Sequence, residues 1–97
     1  MSTPAQIEPE ALASFLAAHP GWAVEGASLV RRYAFSDYAA GVAFVVRAAF
    51  AAEKMDHHPD LHLGYRAVTV SLTTHDAGGL TARDTALAAQ CDAIHRG

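Results

Sequence analysis

Apolar positions along the chain recur at helical spacing in some stretches and alternate with polar ones in others. Leu12, Phe15 and Leu16 share one stripe of a first helix over about residues 8–18. Pro9 suits its first turn, Glu8 and Glu10 suit its positive dipole end, and His19-Pro20-Gly21 stops it. Trp22 to Glu25, a turn at Gly26, and Leu29 to Phe35 read as a β-hairpin. In its second arm Leu29, Arg31, Tyr33 and Phe35 alternate with Val30, Arg32 and Ala34. Ser36 is placed to cap a long helix from Asp37 to about Met55. His57-His58-Pro59 ends that helix, because proline disfavours helical geometry at the residue before it. Leu61 and Leu63 begin a third strand, and Gly64-Tyr65 provides a turn. Arg66 to Thr74 is the clearest strand, with Val68, Val70 and Leu72 on one side and Ala67, Thr69, Ser71 and Thr73 on the other. His75 to Gly79 is a loop. Thr81 and Asp84 have capping-box spacing for a last helix with Leu87, Ala88, Cys91 and Ile94 on one stripe.

The order α-β-β-α-β-β-α, with two hairpins, predicts an α+β fold: a two-layer sandwich of an antiparallel four-stranded sheet with helices on one face. The long helix adds a second expectation. Tyr38, Val42, Phe44, Val45, Val46, Ala49 and Phe50 wrap most of its circumference. A helix apolar on more than one face is buried on more than one face, and a domain this small cannot surround it. One face is therefore expected in the core and another between subunits.

Length and composition narrow the class. Ninety-seven residues make a single domain, residues 1–97, without room for a second core. A hydrophobic content of 52% argues against a disordered chain. A net charge of −3 supplies no basic field for nucleic acid, and there is no Lys/Arg run for an anionic membrane. The single Cys91 cannot form an internal disulfide, which suits a reducing compartment. The polar, acidic start MSTPAQIEPEA does not read as a secretory signal, and no apolar run is long enough to span a bilayer. A cytoplasmic protein is expected.

Six histidines in an acidic chain are the chemical anomaly, and four of them lie between residues 57 and 75. Histidine titrates near neutrality, so a cluster with Glu53 and Asp84 nearby is equipped for proton transfer. Metal-ligand spacing such as HExxH is absent, and adjacent His57 and His58 diverge in regular structure, so no metal is expected. No GxSxG or phosphate-binding glycine pattern is present. The face of His62 in its strand is left open. His19 and His95 flank helices and are expected in solvent. Asp84 reads equally as a helix cap, and Trp22 as core packing.

Glu53-x-x-x-His57-His58-Pro59, then five residues, Tyr65, nine residues, His75, eight residues and Asp84 resembles the signature of the pterin-4a-carbinolamine dehydratases. Gly21-Trp22, Phe35-Ser36-Asp37-Tyr38, Thr74-His75-Asp76 and Gly79-Leu80-Thr81 agree with it, and the resemblance runs from about Leu12 to about Ile94. Arg66 departs from it, since the family often has Asn there, after the aromatic. The resemblance implies an α+β fold in homodimers or homotetramers that extend the sheet and pack the long helices together. It implies dehydration of 4a-hydroxytetrahydropterin to quinonoid dihydropterin, supporting tetrahydropterin recycling after an aromatic amino-acid hydroxylase. The pterin is the substrate, and no separate cofactor is used. By similarity His57, His58 and His75 are catalytic, and Glu53, Trp22 and Asp84 bind substrate, Trp22 by flanking the planar rings. The family also resembles non-catalytic adaptors: a dimerisation cofactor for a transcription factor and an assembly factor for a carbon-fixing enzyme. The intact histidine trio favours the enzyme.

Overall fold

A computed structural model describes residues 5–97. The part of the N-terminal segment that precedes them, included in the reading for a signal sequence, lies outside the described residues. The elements are α1 (Pro9–Ala18), β1 (Ala23–Glu25), β2 (Ser28–Ala34), α2 (Tyr38–Met55), β3 (Asp60–Leu63), β4 (Ala67–Leu72), a short 3-10 turn at His75–Ala77, and α3 (Ala82–Arg96). The sheet is antiparallel throughout, in the order β1-β2-β4-β3. The α+β order read from the pattern is therefore the order observed.

β2 and β4 are the inner strands of the sheet, and the alternation of β4 buries Val68, Val70 and Leu72 on one face. Register sets Leu29, Arg31 and Tyr33 of β2 opposite Leu72, Val70 and Val68 of β4, and Leu61 and Leu63 of β3 opposite Val70 and Val68. These positions share the face covered by the helices, since strand side chains alternate with a period of two. His62 pairs with Thr69 on the opposite face and is exposed. The core joins Leu29, Tyr33, Val68, Val70 and Leu72 of the sheet to Phe44, Ala48 and Ala52 of α2 and Leu87, Ala88 and Cys91 of α3. Alanines at the α2–α3 contact let the helices approach. Gly41 does the same toward the sheet, where a Cβ would lie 3.2 Å from Leu63 Cδ1.

The two-faced reading of α2 describes the exposures. Gly41, Phe44, Ala48 and Ala52 are buried, while Tyr38, Val42, Val46 and Phe50, four residues apart, form an exposed stripe in which Phe50 is 73% exposed.

Three local expectations need correction. The N-cap of α2 is Asp37, not Ser36: Asp37 has extended backbone, and its Oδ1 accepts from the Ala40 N–H at 2.8 Å. His19 is half-buried, stacked on Phe15 at 4.4 Å, and its Nδ1 lies 2.7 Å from Asp92 Oδ2. Trp22 is core: only 4% exposed, edge-on to Tyr33, with its indole N–H donating to Asp92 Oδ1 at 3.0 Å. Asp92 also accepts from Arg31 at 2.8 Å and from the Tyr33 hydroxyl. Burial alone would raise the Asp92 carboxyl. Hydrogen bonds from Tyr33, His19 and Trp22, with the Arg31 charge, outweigh that and hold it below the usual carboxylate range. Burial, reinforced by the same carboxylate, pushes the Tyr33 hydroxyl far up and the Cys91 thiol up to about 12, so Cys91 is an inert packing residue.

Candidate active site

The end of α2 explains how two adjacent histidines come to face different ways. Asp56 adopts left-handed backbone with φ 51°, its N–H bonds back to Ala52 and Glu53 carbonyls, and the His57 N–H reaches the Ala52 carbonyl at 3.1 Å. This is a Schellman-type reversal, followed by Pro59, which cannot continue a helix. Past it, His57 turns inward and is 7% exposed, while His58 stays at the surface.

Each of these rings is held by a carboxylate. His57 Nε2 lies 2.6 Å from Asp84 Oδ1, and His58 Nε2 lies 2.7 Å from Glu53 Oε1. Asp84 is fully buried. Its Oδ2 accepts from the Thr74 hydroxyl at 2.7 Å and from the Thr81 N–H at 2.9 Å, so its carboxylate is both the capping-box partner of α3 and the support of His57. The cap and the histidine partner, which the sequence presents as rival roles, are one arrangement. A carboxylate only accepts, so neutral His57 carries its proton on Nε2 and keeps Nδ1 as its free nitrogen.

His57, His58 and His75 line one depression of about 290 Å³, together with Asp56, Thr73, Thr74, Asp76 and Arg83. That is the small end of ligand sites and suits a compact ring system. The Arg83 guanidinium donates to the Asp56 carbonyl at 2.9 Å, tying the start of α3 to the end of α2 at the margin of the depression.

The structure thus brings the expected trio together and distributes the expected binding residues differently. Glu53 and Asp84 lie outside the lining and act on it through His58 and His57. Trp22 neither lines it nor faces it: it is buried against Tyr33 and Asp92, so in this chain it does not flank a ligand in the depression. Asp56, Thr73 and Arg83 are lining residues that the sequence reading did not name as candidates, and Thr74 and Asp76 entered it only as part of the motif around His75. Asp56, Thr74 and Arg83 adjoin the motif positions His57, His75 and Asp84, whereas Thr73 carries no such local signal. Among the described residues no group of three His, Cys, Asp or Glu is placed to hold a metal ion, and no helix is long and apolar enough to cross a membrane.

Fold and site together define a class: small α+β proteins that gather histidines from a helix end and a strand end at one margin of a four-stranded antiparallel sheet. The family model described as pterin 4 alpha carbinolamine dehydratase matches residues 5–94, and the chain belongs to that family. It is 47% identical over 83 residues to a protein of Chloroflexus aurantiacus, covering 86% of this chain and 89% of that one. It is 46% identical over 84 residues to one of Thermomicrobium roseum, covering 87% and 90%. Both carry pterin-4-alpha-carbinolamine dehydratase as a provisional name. A crystal structure described as a transcriptional coactivator/pterin dehydratase from Brucella melitensis superposes with a TM-score of 0.86 at 34% identity, over 93% of this chain and 98% of that one. A pterin dehydratase-like protein described as a RuBisCO assembly factor in the alpha-carboxysome superposes with a TM-score of 0.63 at 28% identity, over 76% and 86%.

Proposed function

We propose that this chain dehydrates a 4a-hydroxytetrahydropterin to quinonoid dihydropterin and water by histidine acid/base catalysis, and so supports tetrahydropterin recycling. The observation that carries the reading is the shared depression of His57, His58 and His75, in which two of the three rings are fixed by carboxylates. The 4a-hydroxyl is a poor leaving group until it is protonated. One imidazolium gives it a proton, the C4a–O bond breaks, and water leaves. A neutral imidazole takes the proton from the adjacent ring N–H as the C=N bond forms. One proton enters and one departs, so neither oxidant nor cofactor is required, and the pterin is the substrate. His58 and His75, exposed at the mouth, are placed to act on the hydroxyl, and His57 to orient the ring. Glu53 and Asp84 are positioning residues.

The proposal includes self-association through the Tyr38–Val42–Val46–Phe50 stripe, as a homodimer or homotetramer, and a cytoplasmic role after an aromatic amino-acid hydroxylase. A second reading, an interaction or assembly adaptor, has the exposed α2 stripe in its favour and the coactivator and assembly-factor roles named for the two structural relatives. Stopped-flow dehydration of a 4a-hydroxytetrahydropterin generated in place separates them. Wild-type protein accelerates the decay, and His57→Ala, His58→Ala and His75→Ala each lose about 10²- to 10⁴-fold of that acceleration. No acceleration over the buffer rate by wild type favours the adaptor. Full activity in all three variants removes the acid/base assignment.

A further inference from the structure

The three histidines of the depression are not held alike. His57 and His58 each have a carboxylate on a ring nitrogen. Among the described residues no side chain bonds to the His75 imidazole, so its aim depends on the backbone that carries it. That backbone is a tight loop. Thr74 and Gly79 bond across it at 3.2 and 3.4 Å, the Ala77 N–H reaches the Thr74 carbonyl at 3.0 Å, and Gly78 turns it with φ 70°. One side of the loop presents His75 and Asp76 to the depression. Its other side faces a second hollow lined by Gln6, Ile7, Gly78, Gly79 and Leu80.

The segment that fills this second side comes from before α1. The Gln6 side-chain amide donates to the Ala77 carbonyl at 2.8 Å, and the Ile7 N–H donates to the Leu80 carbonyl at 2.8 Å. The contact is close: a Cβ on Gly79 would lie 3.4 Å from the Gln6 amide. Ile7 and Leu12 pack against the core behind it, so the strap has an anchored end. Two bonds from one short segment therefore bracket the part of the loop just after His75. Neither carbonyl has a partner within the loop itself.

We propose that Gln6 is a positioning residue for His75: it straps the 75–80 loop from behind and holds the imidazole toward the depression. The inference rests on the catalytic reading of that depression. Gln6→Glu keeps the size of the side chain and replaces the donor with a carboxylate that faces the Ala77 carbonyl. Losing one such bond weakens the held loop conformation by about 3- to 10-fold.

The test is a double-mutant cycle with a readout that does not need turnover. Gln6→Glu lowers kcat/KM about 3- to 10-fold in the wild-type background and changes nothing further in a His75→Ala background, because its effect passes through that ring. In parallel, amide exchange at Thr74, Ile7 and Gly79 speeds up and the His75 ring resonance shifts, while exchange in β2 and β4 is unchanged. An equal loss in the His75→Ala background shows a general structural role and overturns the proposal. So does Gln6→Glu protein whose loop exchange and His75 resonance match wild type. If wild type has no dehydratase activity, the catalytic reading fails alone, and the exchange and resonance data still decide whether Gln6 holds the loop.

Discussion

Asp84→Asn is the change that most directly separates the chemical role of α3 from its structural role. The carboxylate accepts on three sides: His57 Nε2 at 2.6 Å on one oxygen, and the Thr74 hydroxyl and Thr81 N–H at 2.7 and 2.9 Å on the other. Asparagine has one acceptor and one donor end. The Thr81 N–H can only donate, so the amide oxygen is fixed on that side and the amide NH₂ is turned toward His57. Nε2 must then accept, and the ring proton moves to Nδ1. The free nitrogen of His57 changes from acceptor to donor without a change of shape. The helix cap survives, with two bonds reduced from charge-assisted to neutral, at a cost of about 1–2 kcal/mol. For a domain of this length that lowers Tm by roughly 5–15 °C. Activity falls much further, by about 10²-fold or more, because the ring offers the substrate the wrong group. Stopped-flow dehydration gives the rate, thermal melting the stability, and the imidazole nitrogen shifts of His57 the tautomer. A variant that keeps its wild-type rate with the tautomer reversed refutes the role given to Nδ1. A variant whose rate loss is no larger than its loss of folded protein refutes the separation of roles.

Two further outcomes follow from the other parts of the molecule. Asp92→Ala strands the buried Trp22 and Tyr33 donors and costs about 3–5 kcal/mol, read by denaturant unfolding. The Asp92 carboxyl is depressed in the fold, so its contribution is complete above the unfolded value of about 4 and declines as pH falls through the lower folded value. The gap between wild type and variant therefore narrows below about pH 4, and a gap constant to pH 2 contradicts the network. Phe50→Glu puts a charge in the exposed α2 stripe. Wild type sediments above its 10.2 kDa monomer mass at micromolar concentration and the variant sediments as the monomer, whereas a monomeric wild type removes the self-association proposal.

What was legible in the sequence was what depends on near neighbours. The alternation of Val68, Val70 and Leu72 defines β4 because a period of two is visible within six residues. The histidine cluster was legible because four of six lay between residues 57 and 75, but the choice of His57, His58 and His75 among them came from the resemblance to the dehydratase signature. The cap of α2 was misplaced by one position because Ser36 and Asp37 are both good caps, and only backbone conformation chooses between them. The exposed placing of His19 and the ring-flanking role of Trp22 failed for a different reason, and Asp92 was not singled out at all. The partners of Asp92 lie 59 to 73 residues away along the chain, so no local spacing announces them. Glu53 and Asp84 were correctly associated with the histidines, but sequence spacing does not distinguish a carboxylate that meets a ligand from one that stands behind the ring that does.

The signal that was present lies in α3. Asp84, Leu87, Ala88, Cys91 and Asp92 recur at i, i+3, i+4, i+7 and i+8, which is the pattern of a buried face, and all five are buried. Two carboxylates on such a face are costly unless each is met by several donors. Asp84 near the first turn is met by Thr74, Thr81 and His57, and Asp92 near the last by His19, Trp22, Arg31 and Tyr33. The same device thus serves two ends. At one, the donors come from the α1–β1 connection and β2, and the result locks the sheet to the helix. At the other, one donor is an imidazole whose second nitrogen is left free, and the result is a ring held at the margin of a depression. An apolar stripe in α3 would bury as well, but it would orient neither His57 nor the loop that carries His75. The polar positions within the buried stripe are where this fold is tied to its chemistry.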